Sequence, residues 1–303
     1  MRLILAALFC ICAFAAAGSL PFARSGILDS PIASVLRHTE IEAGGSFTAF
    51  SYQRADSSSQ SDFAISGHVE VGLFERAQVG VTYLGAGGIS GQIRLLALRE
   101  SISRPGIAIG VENLTGEKNY EFFEGDSGLY VYPNSQNFSV YVVLTKNFDF
   151  LTGAPIFLDL GWGTGRFMQD ADTESDGFSN PLPGLFGAFE YHPSPVLSLA
   201  LEWDGRDANI GGTYRLGRSA QASAAIAEFE QLFRSSRDEQ DVMQSTKFTV
   251  GVQFFFGPFL NRTTLEPTER LRRERDEEAL QQLEESRRHA LEEIEELLRS
   301  MQP

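Results

Sequence analysis

Cysteine is confined to Cys10 and Cys12, so everything beyond the first dozen residues lacks a thiol. That excludes a disulfide framework, a cysteine-based zinc site and a cysteine nucleophile. Basic residues are also scarce. Lys and Arg total 25 against 40 Asp plus Glu, a net charge of −15, which leaves no basic footprint for general nucleic-acid binding. Charged residues make up only 21 % and apolar ones 43 %, too apolar a mixture for a disordered chain. Past Ala17 no stretch of uncharged apolar residues reaches the ~18 needed for a membrane-spanning helix.

What is present begins with a leader pattern. Met1-Arg2 is a short positive start, Leu3 to Ala17 is an apolar run, and Ala15-Ala16-Ala17 supplies small residues for cleavage. Residues 1–17 are expected to be a signal peptide; an uncleaved anchor is the alternative, but the run is short for a hydrocarbon core of ~30 Å. Both cysteines sit inside that run, which argues against a lipoprotein. Residues 18–38 are expected to form a periplasmic lead ahead of the first strand.

From 39 to 258 the chain alternates with period two. In Phe63 to Leu73 the odd positions are apolar or Gly and the even ones small, polar or charged. Leu197, Leu199, Leu201 and Trp203 alternate in the same way with Ser198, Ala200, Glu202 and Asp204, and Phe248 to Phe256 repeats the pattern. Alternation of this kind marks strands with one apolar face. About twelve segments show it: 39–54, 62–73, 77–86, 91–100, 106–114, 137–147, 155–168, 184–192, 196–204, 208–216, 220–231 and 245–257.

Either a soluble sandwich or barrel, apolar face inward, or a transmembrane barrel, apolar face outward, would give this pattern. Connection lengths separate the two. The links longer than about ten residues (Thr115–Gln136, Gln169–Pro183, Leu232–Gln244) are all odd-numbered, and the even-numbered ones, such as Phe74–Arg76 and Pro193–Pro195, are tight. Long loops at one end and short turns at the other are the habit of outer-membrane barrels. Tyr83, Trp162, Tyr191, Trp203, Tyr214 and Phe256 lie on the apolar face near strand ends, as aromatic girdles would. The other face carries His68, Glu70, Arg94, Glu112, Asp159, Glu190, Glu202, Arg215 and Lys247. Nine ionisable groups would be costly in a dry core and are unexceptional in a polar lumen, so they are the candidate binding residues. The expected fold is all-β, a transmembrane antiparallel up-and-down barrel of about twelve strands in the outer membrane, with both termini periplasmic.

Beyond a linker at 259–266, the segment 267–303 changes character. It has no aromatic residue and no Gly, and Leu280, Leu283, Ala290, Ile294, Leu297 and Met301 recur at heptad a and d spacing, with Arg287 at one a position. Pro267 suits the first turn of a helix. A charged amphipathic helix in the periplasm is expected, either solvated or docked on a periplasmic protein.

Five stretches resemble the YjbH family of outer-membrane proteins linked to exopolysaccharide production. They are Gly26-Ile27-Leu28-Asp29-Ser30-Pro31-Ile32-Ala33-Ser34-Val35-Leu36, Gly72-Leu73-Phe74-Glu75-Arg76-Ala77-Gln78-Val79-Gly80, Arg104-Pro105-Gly106-Ile107-Ala108-Ile109-Gly110-Val111, Leu160-Gly161-Trp162-Gly163-Thr164-Gly165-Arg166 and Glu202-Trp203-Asp204-Gly205-Arg206-Asp207-Ala208-Asn209. They fall in the family's order across residues 26–216. Members of that family are often much longer, and the charged C-terminal helix departs from its pattern. The resemblance implies a barrel that supports envelope or exopolysaccharide production or export, with lipid and a polysaccharide as partners.

Chemical motifs are weak. Gly125-Asp126-Ser127-Gly128 resembles a serine-protease nucleophile loop without a placed His and Asp. The run from Asp170 to Gly177 starts like a calcium loop but has Ser175 where the turn needs Gly and no Glu at its twelfth position. Gly161-Trp162-Gly163-Thr164-Gly165 precedes no helix that could present a phosphate site, and its glycines are expected to ease curvature or admit another side chain. His68 and Glu70 share the lumen face and could form an acid–base pair; an ordinary lumen pair is the plainer reading. No catalytic residue, metal site or cofactor is expected. The leading function is non-catalytic, with a small-solute porin and a barrel-embedded hydrolase as rivals. A soluble periplasmic protein is the remaining alternative.

Overall fold

The computed structural model describes residues 20–53, 59–84, 88–115, 120–123, 129–132, 138–149, 155–168, 183–233, 246–259 and 267–300. The leader, the Gly125–Gly128 and Asp170–Gly177 motifs, linker residues 260–266 and positions 301–303 lie outside them.

In chain order the strands are β1 (Ile41–Gln53), β2 (Ser59–Leu73), β3 (Ala77–Tyr83), β4 (Ile89–Leu98), β5 (Gly106–Glu112), β6 (Tyr120–Phe123), β7 (Leu129–Tyr132), β8 (Ser139–Asn147), β9 (Ile156–Gly163), β10 (Leu185–Ser194), β11 (Leu197–Trp203), β12 (Ala208–Arg215), β13 (Ala220–Ala227) and β14 (Lys247–Phe256). All but β6 and β7 close into one barrel of twelve strands, each antiparallel to its sequence neighbours. The ring shuts where β1 meets β14, with Ile41 opposite Phe256 and Phe50 opposite Lys247. β6 and β7 form a separate hairpin within the link between β5 and β8, two strands the sequence reading did not foresee. The helix α1 spans Pro267–Ser300.

Side-chain parity holds around the ring. On β14, Phe248, Val250, Val252, Phe254 and Phe256 are all 46–58 % exposed, while Lys247, Thr249 and Gln253 are at most 3 % exposed. β11 exposes Leu199 and Leu201 and buries Ser198, Ala200 and Glu202. An apolar belt facing out over a polar interior is the arrangement of a barrel in lipid, and the reverse of a soluble one. Trp162 lies at the long-loop end of this belt and Tyr191, Tyr214 and Phe256 at the short-turn end, all exposed. The protein is therefore a transmembrane barrel of the outer-membrane type.

One expectation is corrected. The lead at 18–38 does not stand apart from the barrel, since Leu20, Phe22, Ala23, Arg24, Ser25, Ile27, Leu28, Asp29, Ser30 and Ala33 are all at most 7 % exposed. Leu20 and Ala23 cluster with Phe50, Ala64 and Leu84 near the long-loop end. Ala33 clusters with Ala108, Tyr141, Val143, Phe167 and Phe186 farther along. Then Thr39 and Glu40 hydrogen-bond to Gly72 at the short-turn end, where β1 begins. The segment runs down the inside of the barrel. A lumen lined by charged groups otherwise lacks partners for them, and a threaded chain supplies peptide N–H groups, carbonyls and the buried charges of Arg24 and Asp29.

Candidate functional site: the lumen and the segment inside it

The segment is folded on itself before it meets the wall. Phe22 N donates to Leu28 O at 2.7 Å and Ile27 N to Ser30 O at 3.1 Å, closing a compact loop. Gly26 is required there, because a Cβ would run into the carbonyl of Ser30.

Three carboxylates on the barrel wall grip this loop. Glu202 on β11 accepts the consecutive backbone N–H groups of Leu28 (3.1 Å), Asp29 (3.0 Å) and Ser30 (3.0 Å). Successive amides converging on one anion form a nest, here with the anion supplied by the barrel. Glu70 on β2 accepts from both the backbone N (2.9 Å) and the hydroxyl (2.8 Å) of Ser25, and also from Gln92 (2.5 Å) and Gln78. Glu112 on β5 faces a pair of guanidiniums.

That pair forms a four-membered charge cluster. Arg166 meets Glu112 at 2.8 Å and Asp29 at 3.3 Å, while Arg24 meets Asp29 at 3.5 Å and Glu112 at 3.6 Å. Two of the four, Arg24 and Asp29, belong to the segment, and the other two to the barrel. Arg24 also donates to Asn113 at 2.8 Å. Two cations alternating with two anions leave the cluster itself without net charge, which favours its burial.

Farther down, Arg94 on β4 donates to the carbonyls of Ser25 (2.8 Å) and Ser34 (3.3 Å) and to the Tyr141 hydroxyl (3.1 Å). Thr145 receives Ala33 N at 2.7 Å and hydrogen-bonds to Asp159, and Gln78 receives Leu36 N at 2.9 Å. The segment is thus tied to β2, β3, β4, β5, β8 and β11.

The nine residues expected on the lumen face divide unevenly. His68, Glu70, Arg94, Glu112, Asp159, Glu202 and Lys247 are all buried inside. Glu190 is half-buried and paired with His192 at 3.1 Å, and Arg215 is exposed at the short-turn mouth. His68 and Glu70 do not form a pair: His68 Nε2 meets Glu42 at 3.1 Å, and Glu70 is taken up by the segment. Lys247 pairs with Glu228 at the long-loop rim.

The glycines of the Gly161 to Gly165 run admit neighbouring rings. A Cβ at Gly161 would overlap the Phe186 ring and one at Gly163 the Phe167 ring. Phe167 and Phe186 stack with centroids 4.4 Å apart, and the Arg166 guanidinium lies 4.2 Å over the Phe167 ring. A one-turn 3-10 helix, Gly165–Phe167, turns Arg166 inward from the end of β9.

All five stretches that carry the family resemblance meet here. The first is the lumen segment itself. Gly72 and Gln78, from the second, hold its exit, since a Cβ on Gly72 would strike the carbonyls of Leu36 and Arg37. Ala108, from the third, packs with Ala33, and Arg166 and Glu202, from the last two, anchor Asp29 and its neighbours.

Sequence reading left Arg24, Asp29 and Arg166 out of its lumen candidates: Arg24 and Asp29 precede the first strand, and Arg166, within the expected segment 155–168, lies just past the end of β9. The signal that could have found them is the lumen's imbalance. Glu70, Glu112, Asp159, Glu190 and Glu202 face only Arg94, Arg215 and Lys247 as permanent cations. That surplus of acceptors calls for donors from elsewhere in the chain.

At the long-loop rim, Asp207, Glu228 and Glu230 lie outside the strands. Burial, reinforced by Glu228 and Asp204, holds Asp207 well above the usual carboxylate range. Burial also raises Glu228 against the pull of Lys247, and burial with Asp207 nearby raises Glu230 to about 7.

No family model and no curated protein matches the chain. Among solved structures it is similar to a KdgM porin in complex with disordered oligogalacturonate, at 12% identity over 72% of this chain and 99% of that one, with a TM-score of 0.40. A NanC porin matches at 10% identity over 71% of this chain and 98% of its own, with a TM-score of 0.39.

Proposed function

We propose that this chain is a non-catalytic outer-membrane barrel that supports exopolysaccharide production or export, with its lumen held shut by its own N-terminal segment. The observation that carries the closed lumen is the nest of Leu28, Asp29 and Ser30 amides on Glu202, set beside the Arg24–Asp29–Arg166–Glu112 cluster. A barrel built for free diffusion has no use for a buried ionic lock. The polysaccharide role rests on the YjbH resemblance, whose five stretches form the segment and its seat. Short turns face the periplasm in this reading, so α1 is periplasmic and available to a periplasmic protein.

The test is a deletion strain complemented with the wild-type chain or with an Arg24→Ala/Arg166→Ala form. Restoration of exopolysaccharide by the first and not by the second, at equal barrel levels, is expected; unchanged exopolysaccharide on deletion removes the role. An epitope inserted at Asp172 should be reached by antibody on intact cells, and one after Pro303 only after permeabilisation.

The second reading is a small-solute porin, favoured by the polar wall and by a vestibule at the short-turn mouth. It requires the segment to leave the lumen, and channel conductance by the intact chain would favour it.

A further inference from the structure

Between the lumen segment and the short-turn end lies a half-open cavity of about 460 Å³. That is within the ~300–1,000 Å³ of small-molecule sites. Its roof is the segment from Ile32 to Leu36, and its walls come from the ends of β12 and β14, the starts of β1, β3 and β13, and the middle of β4. In a chain of net charge −15, this cavity has the opposite balance, with four arginines against two glutamates.

Most of those charges are already occupied. Arg37 is paired with Glu40 at 3.0 Å, Glu42 with His68 at 3.1 Å, and Arg94 is spent on Ser25, Ser34 and Tyr141. Arg215 and Arg218 remain, both exposed and with guanidiniums that have no ion-pair or hydrogen-bond partner among the described residues. They flank the turn at Gly217, so two guanidiniums project into the same mouth. Beside them the floor is neutral and amide-rich. Gln221 sits directly across from Arg215 on the neighbouring strand and is hydrogen-bonded to Gln253, while Gln78 is already hydrogen-bonded to Leu36, Ser25 and Glu70.

We propose that this vestibule binds an acidic oligosaccharide. Guanidiniums take carboxylates in a forked geometry, and carboxamides exchange hydrogen bonds with sugar hydroxyls. Two cations with an amide floor fit a chain of alternating carboxylates and hydroxyls better than a compact inorganic anion, which would need only the cations. The proposal deepens the polysaccharide part of the function above and rests on it. It needs the segment in place, since Ile32 to Leu36 roof the vestibule.

The experiment is calorimetric titration of the refolded mature protein in detergent with a linear trimer of glucuronic acid. The glucose trimer of the same linkage and inorganic phosphate serve as separate arms. Saturable binding of the acidic trimer alone, weakened by salt, is expected. Arg215→Gln/Arg218→Gln should weaken it roughly tenfold or more, and Arg104→Gln, on the β4–β5 turn across the barrel and outside the cavity, should not. Both variants change exposed side chains, and heat-modifiable migration on gels checks that each barrel is folded. Equal binding of the glucose trimer, undiminished binding by the double variant, or no saturable binding up to millimolar trimer would overturn the proposal. Displacement of the trimer by equimolar phosphate would reduce the site to a simple anion site and overturn it as well. Exopolysaccharide yield reads the role and conductance reads the closed lumen, so absence of trimer binding with both of those intact overturns this proposal alone.

Discussion

Arg166 Nη2 donates to the backbone carbonyl of Asp29 at 2.7 Å, across 137 residues of sequence. The bond joins the loop after β9 to the middle of the lumen segment, and the same guanidinium is paired with Glu112. A single side chain thereby ties the turn after β9, the wall and the segment together.

Arg166→Ala should therefore be costly. Removing one partner of a buried ion pair is worth about 3–5 kcal/mol, because the remaining charges are left without compensation. Arg24 still lies near both carboxylates, which places the expected loss at the lower end. Urea unfolding in lipid should register it. Hydrogen exchange at residues 22–30 should rise more than exchange in β13.

Glu202→Ala removes the acceptor of three consecutive amides. Each buried N–H left unsatisfied costs about 1–3 kcal/mol unless water reaches it. Glu202→Gln keeps one oxygen and should fall between wild type and Ala. Protease nicking within residues 20–36 should follow the same order.

The two faces of β14 can be told apart at adjacent positions. Val250→Arg places a charge on the lipid face and should cost about 2–4 kcal/mol in a bilayer. Thr249→Val, one residue away, removes the hydroxyl that meets Thr48 at 2.9 Å and should cost only about 0.5–1.5 kcal/mol. Similar losses from both would mean that the faces are misassigned.

The long-loop rim should respond to pH. Glu230 is raised to about 7 by burial and by Asp207, so the folded rim holds its proton more tightly than the unfolded chain does. Its contribution is complete below the unfolded value near 4.5 and declines as pH rises through 7. Asp207 and Glu228 are shifted in the same direction. Hydrogen exchange over residues 228–233, corrected for intrinsic rates, should show less protection at pH 8 than at pH 5.5. Glu230→Gln should flatten the difference.

The barrel was legible in the sequence because period-two alternation is a local property. Phe248 to Phe256 and Leu197 to Trp203 each declare their faces without reference to any other segment. Loop lengths then gave the ring its two ends. The lumen segment was not legible in that way. Gly26 to Leu36 has no period, and its conformation is set by Glu202, Glu70 and Arg94, which reach it from strands distant in sequence. The family resemblance singled out Gly26 to Leu36 and Glu202, but neither Glu70 nor Arg94, and left the meeting point unstated. The tight Gly161 and Gly163 positions were expected to admit side chains, and Phe186 and Phe167 fill them.

The closed lumen is the central claim, and planar-bilayer conductance tests it most directly. The mature chain and a form lacking residues 20–36 would be refolded, checked for heat-modifiable migration and inserted under identical conditions. The account predicts negligible steady conductance for the mature chain and clear single-channel steps for the shortened one. Stable, open channels of equal size from both would contradict it.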